Sequence, residues 1–150
     1  SRPRSRLFLL RLAFLAIFVG VSPFPWVEAR GCAPDSPTHE LSLIDVASEM
    51  LDDTTGLIVI AVLCLVVAIT TFAVPFLRHS GWRIFGYLTG LASTAFLAWT
   101  LFVLASFSLG APRSFRPAAV AGLVALVALA LDNLVRVAME IRAVIRRRRG

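Results

Sequence analysis

Two ionisable residues lie near the end of the last apolar stretch of the sequence and are the first candidates for chemistry. Asp132 and Arg136 are four residues apart with the acid first, the favourable order for an ion pair on one helix. An ionisable group inside a membrane is a functional candidate by default. Glu140 follows at the same spacing, so we interpret the series as a self-satisfied structural ladder rather than a proton relay. The predicted intramembrane ion pair is Asp132 with Arg136.

Small residues recur every four positions along the third apolar stretch. Gly86, Gly90, Thr94 and Ala98 would share one face of a helix. Small side chains let two helix backbones approach closely where lipid removes the hydrophobic drive for association. We predict that this face packs against another helix, with internal packing favoured over a dimer or partner interface.

An acidic group precedes the second apolar stretch and consists of Asp45, Glu49, Asp52 and Asp53. Like charges at a spacing of four repel one another on a helix, so the group gains from a cationic neighbour. We predict an outer acidic face. It is either an ordinary solvated surface or a surface that steers a basic periplasmic protein by charge complementarity.

The sequence offers no set of residues suited to catalysis or to a cofactor. His39 and His79 are the only two histidines, and they are predicted on opposite sides of the membrane. Cys32 and Cys64 are predicted at depths too different for a disulfide. No cysteine pair has zinc spacing, and no glycine-rich phosphate loop follows a strand. We therefore predict no enzymatic activity, no metal and no cofactor.

Four apolar stretches must position these residues. Only 16% of the 150 residues are charged, whereas a soluble domain has about 25%, and the mean hydropathy is +0.83. About 20 apolar residues in a helix cross a bilayer. We predict a single all-α domain, an integral-membrane four-helix bundle, with transmembrane helices at about 7–26, 55–77, 84–109 and 117–137.

The polar segments set the orientation of these helices. With the N-terminus inside, twelve of the 15 arginines fall on the cytoplasmic side, and only Arg30, Arg113 and Arg116 fall outside. Arginine excess marks the cytoplasmic side, so both termini are predicted there. The basic tail 138–150 is expected to bind anionic lipid. An arginine-only basic composition favours a bacterial source, and hence the bacterial plasma membrane.

The outer acidic segment 27–54 joins the first two helices. Glycine and prolines predict a loop over 28–37. From Leu41 onward, apolar residues recur at helical spacing, which predicts a short amphipathic helix on the membrane surface.

The first apolar stretch has two interpretations. Its basic start and short apolar core also describe a cleavable signal peptide. We favour a retained helix in which Arg11 extends to the lipid headgroups. Trp26, Trp82 and Tyr87 are expected near the membrane interfaces.

The missing site chemistry and the helix faces rich in small residues suggest a function. We predict a non-catalytic accessory or structural subunit that contacts other integral-membrane subunits of a larger complex. An energy-transducing, electron-transfer complex is one candidate. The alternative is a small homo-oligomeric transporter or channel, in which Asp132 and hydroxyl side chains would face a shared pathway. The basic charge is explained by orientation in the membrane, so nucleic-acid binding is not predicted.

Overall fold

The computed structural model describes residues 3–30, 38–42, 54–106, 113–115 and 117–150, and the side chains of residues 8–26, 55–103 and 117–150. Helices dominate this part of the chain, as predicted. They are α1 Pro3–Val21, α2 Thr54–Ala73, α3 Ser80–Ser106 and α4 Pro117–Arg149.

Three of these helices are long and apolar enough to cross a membrane. The candidate spans are Thr55–Phe76, Ser80–Val103 and Pro117–Arg149, whereas α1 contributes a shorter apolar helix, Phe8–Val21. Pro117 opens α4 because proline needs no hydrogen-bond acceptor at the first helical position. The helix then runs without interruption through the basic tail.

A proline also separates α2 from α3. Pro75 has no backbone N–H, and the chain tightens around it into a short 3-10 helix, Val74–Phe76. The N–H of Leu77 donates to the carbonyl of Val74 at 3.1 Å. The next helix begins at Ser80, so the connection is only a few residues long and favours antiparallel neighbours.

A small antiparallel sheet corrects the all-α prediction. Its three strands are β1 Pro25–Arg30, β2 Thr38–Ser42 and β3 Arg113–Phe115, in the order β2-β1-β3. The β1–β3 pairing joins residues more than 80 positions apart, such as Val27 with Phe115. Hydrophobic periodicity is a local signal and cannot reveal such a pairing.

The sheet also changes the predicted boundaries around the first helix. α1 ends at Val21 rather than near residue 26, because Pro23 and Pro25 disfavour helix at and before them. Part of the predicted loop over 28–37 belongs to β1, and residues 41 and 42, where an amphipathic helix was predicted, belong to β2. The remainder of that predicted helix, with its acidic residues, lies outside the described residues.

All four helices contribute to one apolar core. The largest fully buried apolar side chains besides Trp26 are Val67, Leu97, Leu101, Leu126 and Leu129. Large apolar side chains also cover the outward faces, where Leu65 is 59% exposed and Val124 is 60% exposed. In water such surfaces would favour aggregation, whereas in lipid they are well solvated.

Trp26 connects β1 to the helices. Its indole is only 1% exposed, so it packs inside the protein. The Nε1 atom donates to the carbonyl of Val21 at 2.8 Å, and the ring packs edge-on against Phe18. The ring lies directly over Gly122, where a Cβ atom would be 2.6 Å from its Cη2 and Cζ2 atoms. Glycine at this position is therefore what admits the indole.

Candidate functional site

A buried group of polar side chains connects the four helices. We call it the polar cluster, and it consists of Arg11 from α1, Thr70 from α2, Tyr87 from α3, and Asp132, Asn133 and Arg136 from α4. α1, α2 and α3 each contribute one of these residues and α4 contributes three, so helix packing determines the cluster.

Arg11 is the centre of the polar cluster. Its side chain is 0% exposed, so it does not extend to the headgroups as the sequence suggested. Nη1 forms an ion pair with Asp132 Oδ2 and donates to Asn133 Oδ1 at 2.7 Å. Nη2 donates to the backbone carbonyl of Thr70 at 3.5 Å. Arg11 therefore fastens α1 to both α2 and α4.

Asp132 has a second cationic partner within its own helix. Arg136 Nε donates to Asp132 Oδ2 at 2.9 Å, so the same carboxylate oxygen accepts hydrogen bonds from two guanidinium groups. The predicted ladder does not continue from Arg136 to Glu140. Glu140 instead pairs with Arg83 of α3, with Arg83 Nε 3.0 Å from Glu140 Oε1. Asp132 therefore connects α4 to α1, and Glu140 connects α4 to α3.

An aromatic ring lies beside both arginines of the polar cluster. The Cζ atoms of Arg11 and Arg136 are 5.5 and 5.8 Å from the ring centroid of Tyr87. Both distances allow attraction between the cations and the electron-rich face of the ring. Tyr87 is only 3% exposed, so its ring lies inside the protein. Attraction to the ring offsets part of the cost of burying two guanidinium groups side by side.

The small-residue face of α3 packs inside the protein. A Cβ atom at Gly86 would be 2.6 Å from Val74 Cγ2. One at Gly90 would be 3.1 Å from both Asn133 Nδ2 and Thr70 Oγ1, so glycine lets α2 and α4 meet α3 beside the polar cluster.

The rest of that face also turns inward. Thr94 is 1% exposed, and its hydroxyl donates to the Gly90 carbonyl at 2.6 Å. Ala98 lies at the edge of this face, where it is partly buried against the apolar core and also lines an outer groove between α3 and α4. Most of this face therefore meets other helices of the same chain.

Threonine hydroxyls around the polar cluster bond within their own helices. Thr70 Oγ1 is 2.9 Å from the Val66 carbonyl, and Thr71 Oγ1 is 2.7 Å from the Val67 carbonyl. Thr89 donates to the Phe85 carbonyl at 2.9 Å. Hydroxyl protons used in this way are not available to a neighbouring side chain or solute.

An apolar groove of about 430 Å³ lies on the outer side of α3 and α4. We call it the α3–α4 groove. Three alanines and two aromatic residues contribute to its lining: Ala95, Ala98, Trp99, Phe102 and Ala130. The alanines give the groove its depth, because their neighbours on both helices are larger.

The predicted outer acidic face cannot be placed in the structure. Asp45, Glu49, Asp52 and Asp53 lie outside the described residues. Among the residues described, no group of three or more His, Cys, Asp or Glu side chains could hold a metal ion.

Sequence reasoning did not pair Arg11 with Asp132. The available signal was that each is the first charge to interrupt an apolar stretch, one basic in the first and one acidic in the last. Comparisons with protein-family models, with characterised proteins and with solved structures find no match for this chain.

Proposed function

We propose that the chain is a multi-pass protein of the bacterial plasma membrane with both termini cytoplasmic. In this proposal its helices form a four-helix bundle that serves as a non-catalytic structural or accessory subunit of a larger membrane complex. Support for the membrane location comes from three helices of spanning length whose outward faces are apolar. Support for the orientation comes from the distribution of arginine.

The geometry of Asp132 carries the choice of a structural role. A carboxylate that relays protons or cations must release and rebind them. Asp132 accepts hydrogen bonds from Arg11 and Arg136, and arginine stays protonated in proteins. A carboxylate that is paired with two permanent cations is poorly suited to carry protons or cations. It is well suited to hold helices together.

The α3–α4 groove is the proposed partner surface. Its alanines would allow another helix to approach closely, and its aromatic rims would add contact area. Partner helices in membranes bind through such close packing because lipid already solvates apolar side chains. We therefore infer that a transmembrane helix of another subunit occupies this groove.

Affinity purification in mild detergent tests this proposal. The tagged chain, expressed at its natural level, is expected to co-purify with other integral-membrane proteins at fixed stoichiometry. The A95L variant fills the groove and should release the partners, whereas A92L makes the same change at an exposed α3 position outside the groove. Recovery of the wild-type chain alone, or equal effects of A95L and A92L, would contradict the proposal.

Reconstitution separates the proposal from the transporter alternative. Liposomes that contain only this protein should show no solute flux above that of empty liposomes. Flux that is lost in a D132N variant would instead support a homo-oligomeric transporter or channel.

A further inference from the structure

A second polar feature lies beside the polar cluster. It is a cavity of about 290 Å³ between α3, α4 and the start of α1, which we call the basic pocket. Its polar lining includes Arg83, Arg136, Glu140 and Arg147, and Phe8 and Pro75 contribute apolar wall. This is far more than the space needed for a single water, so the pocket has room for a multi-atom anion.

The charges around the basic pocket do not balance. Arg83 pairs with Glu140, while Arg136 and the buried Arg11 share the single carboxylate of Asp132. With Arg147, four guanidinium groups face two carboxylates, an excess of two positive charges. Positive charge that is partly shielded from water is stabilised by a bound anion.

Arg136 also has an unused donor at this position. Its Nη2 atom is buried and has no hydrogen-bond partner within the described ranges. Its Nε atom is already committed to Asp132 at 2.9 Å, which fixes the plane of the guanidinium group. Buried donors are nearly always satisfied, so this unpaired donor adds to the unbalanced positive charge beside the pocket.

We propose that the basic pocket binds the phosphate group of an anionic ligand. Arginine forks match phosphate geometry, and several of them around one pocket give strong charge-assisted hydrogen bonds. An anionic phospholipid headgroup is the favoured source, because Phe8 and Pro75 provide an apolar wall for the attached glycerol and acyl chains. Basic pockets between membrane helices commonly take such headgroups. The lipid source rests on the membrane location proposed above, whereas the phosphate chemistry does not.

Native mass spectrometry with phosphatidylglycerol tests the site. The full chain in a neutral detergent is titrated with this lipid, with phosphatidylcholine as the zwitterionic control and inorganic phosphate as a separate arm. R147Q should weaken phosphatidylglycerol binding about fivefold or more, as expected for one lost arginine contact. R149Q removes the same charge two residues away, outside the pocket lining, and should change binding less than twofold.

A third variant should change lipid binding in the opposite direction. E140Q removes the carboxylate that holds Arg83, which frees that guanidinium for phosphate. Binding should therefore become stronger, by about fivefold. Circular dichroism and size-exclusion profiles should be unchanged for R147Q and R149Q, because both arginines are exposed.

The outcomes are distinguishable. Equal weakening of lipid binding by R147Q and R149Q, or unchanged binding in E140Q, would refute the proposed phosphate site. Lipid binding would then be a diffuse attraction to the basic tail. Inorganic phosphate that binds as tightly as the lipid, with the same dependence on Arg147, would support the site but reassign its source to a free anion. A chain that stays in the aqueous fraction without detergent would refute the membrane proposal. The titration with inorganic phosphate would then decide whether the pocket binds phosphate.

Discussion

Replacing Arg11 gives the most direct test of how the helices are held together. The change R11M removes the guanidinium group but keeps an unbranched stem of similar length. It leaves Asn133 Oδ1 and the Thr70 carbonyl without the donor that now serves them. It also removes one of the two cations that neutralise Asp132.

The expected magnitude follows from these losses. Removing one partner of a buried ion pair costs about 3–5 kcal/mol. Here the Arg11 side chain is 0% exposed and the Asp132 side chain is 14% exposed, so Arg11 is fully buried and Asp132 is partly buried. Arg136 still neutralises Asp132, which favours the lower part of this range. Each lost hydrogen bond between membrane helices adds only about 0.6 kcal/mol on average. With two such hydrogen bonds lost, the total is about 4 kcal/mol, which corresponds to roughly a thousandfold larger unfolding constant.

Equilibrium unfolding in mixed detergent micelles measures this change, with tryptophan fluorescence as the probe. Trp26 is buried beside α1 and should report the release of that helix. The R142M variant makes the same substitution at an exposed position of α4 and should stay within about 0.5 kcal/mol of wild type.

A double variant tests the origin of the effect. R11M/D132N removes both charges of the ion pair, so its destabilisation should be smaller than the sum of the two single changes. A coupling of at least about 0.5 kcal/mol is expected for residues in direct contact. The reasoning is refuted if R11M unfolds like wild type, or if R142M is equally destabilised.

Two glycine positions supply further predictions, both measured as thermal unfolding in detergent. G122A should destabilise the protein by about 1–3 kcal/mol, because the new Cβ would meet the Trp26 ring at 2.6 Å. G20A should be neutral or slightly stabilising, because nothing lies within 4 Å of its Cβ position. G86A should also destabilise, since its Cβ would be 2.6 Å from Val74 Cγ2, and V74A in the same chain should recover much of the loss. A G86A/V74A protein no more stable than G86A would contradict this local account.

The sequence by itself determined where the four long helices lie, apart from the end of α1. Long apolar stretches satisfy their backbone groups internally, and they predict helices wherever they occur. Pro75 and Pro117 further indicated where one helix ends and another begins. The spacing of Gly86 and Gly90 indicated a close-packing face before any partner was known. These features are local in the chain, so local pattern is enough to read them.

The tertiary structure alone decided which residues meet. Arg11 and Asp132 are 121 positions apart, and their pairing depends on how α1 and α4 are rotated about their own axes. Trp26 is buried because Gly122 of a distant helix leaves space for its ring. The β1–β3 pairing likewise joins segments that share no local pattern. Hydropathy specifies that a residue lies in an apolar helix. It does not specify which neighbour the side chain contacts, because that depends on how the helices are rotated and packed against one another.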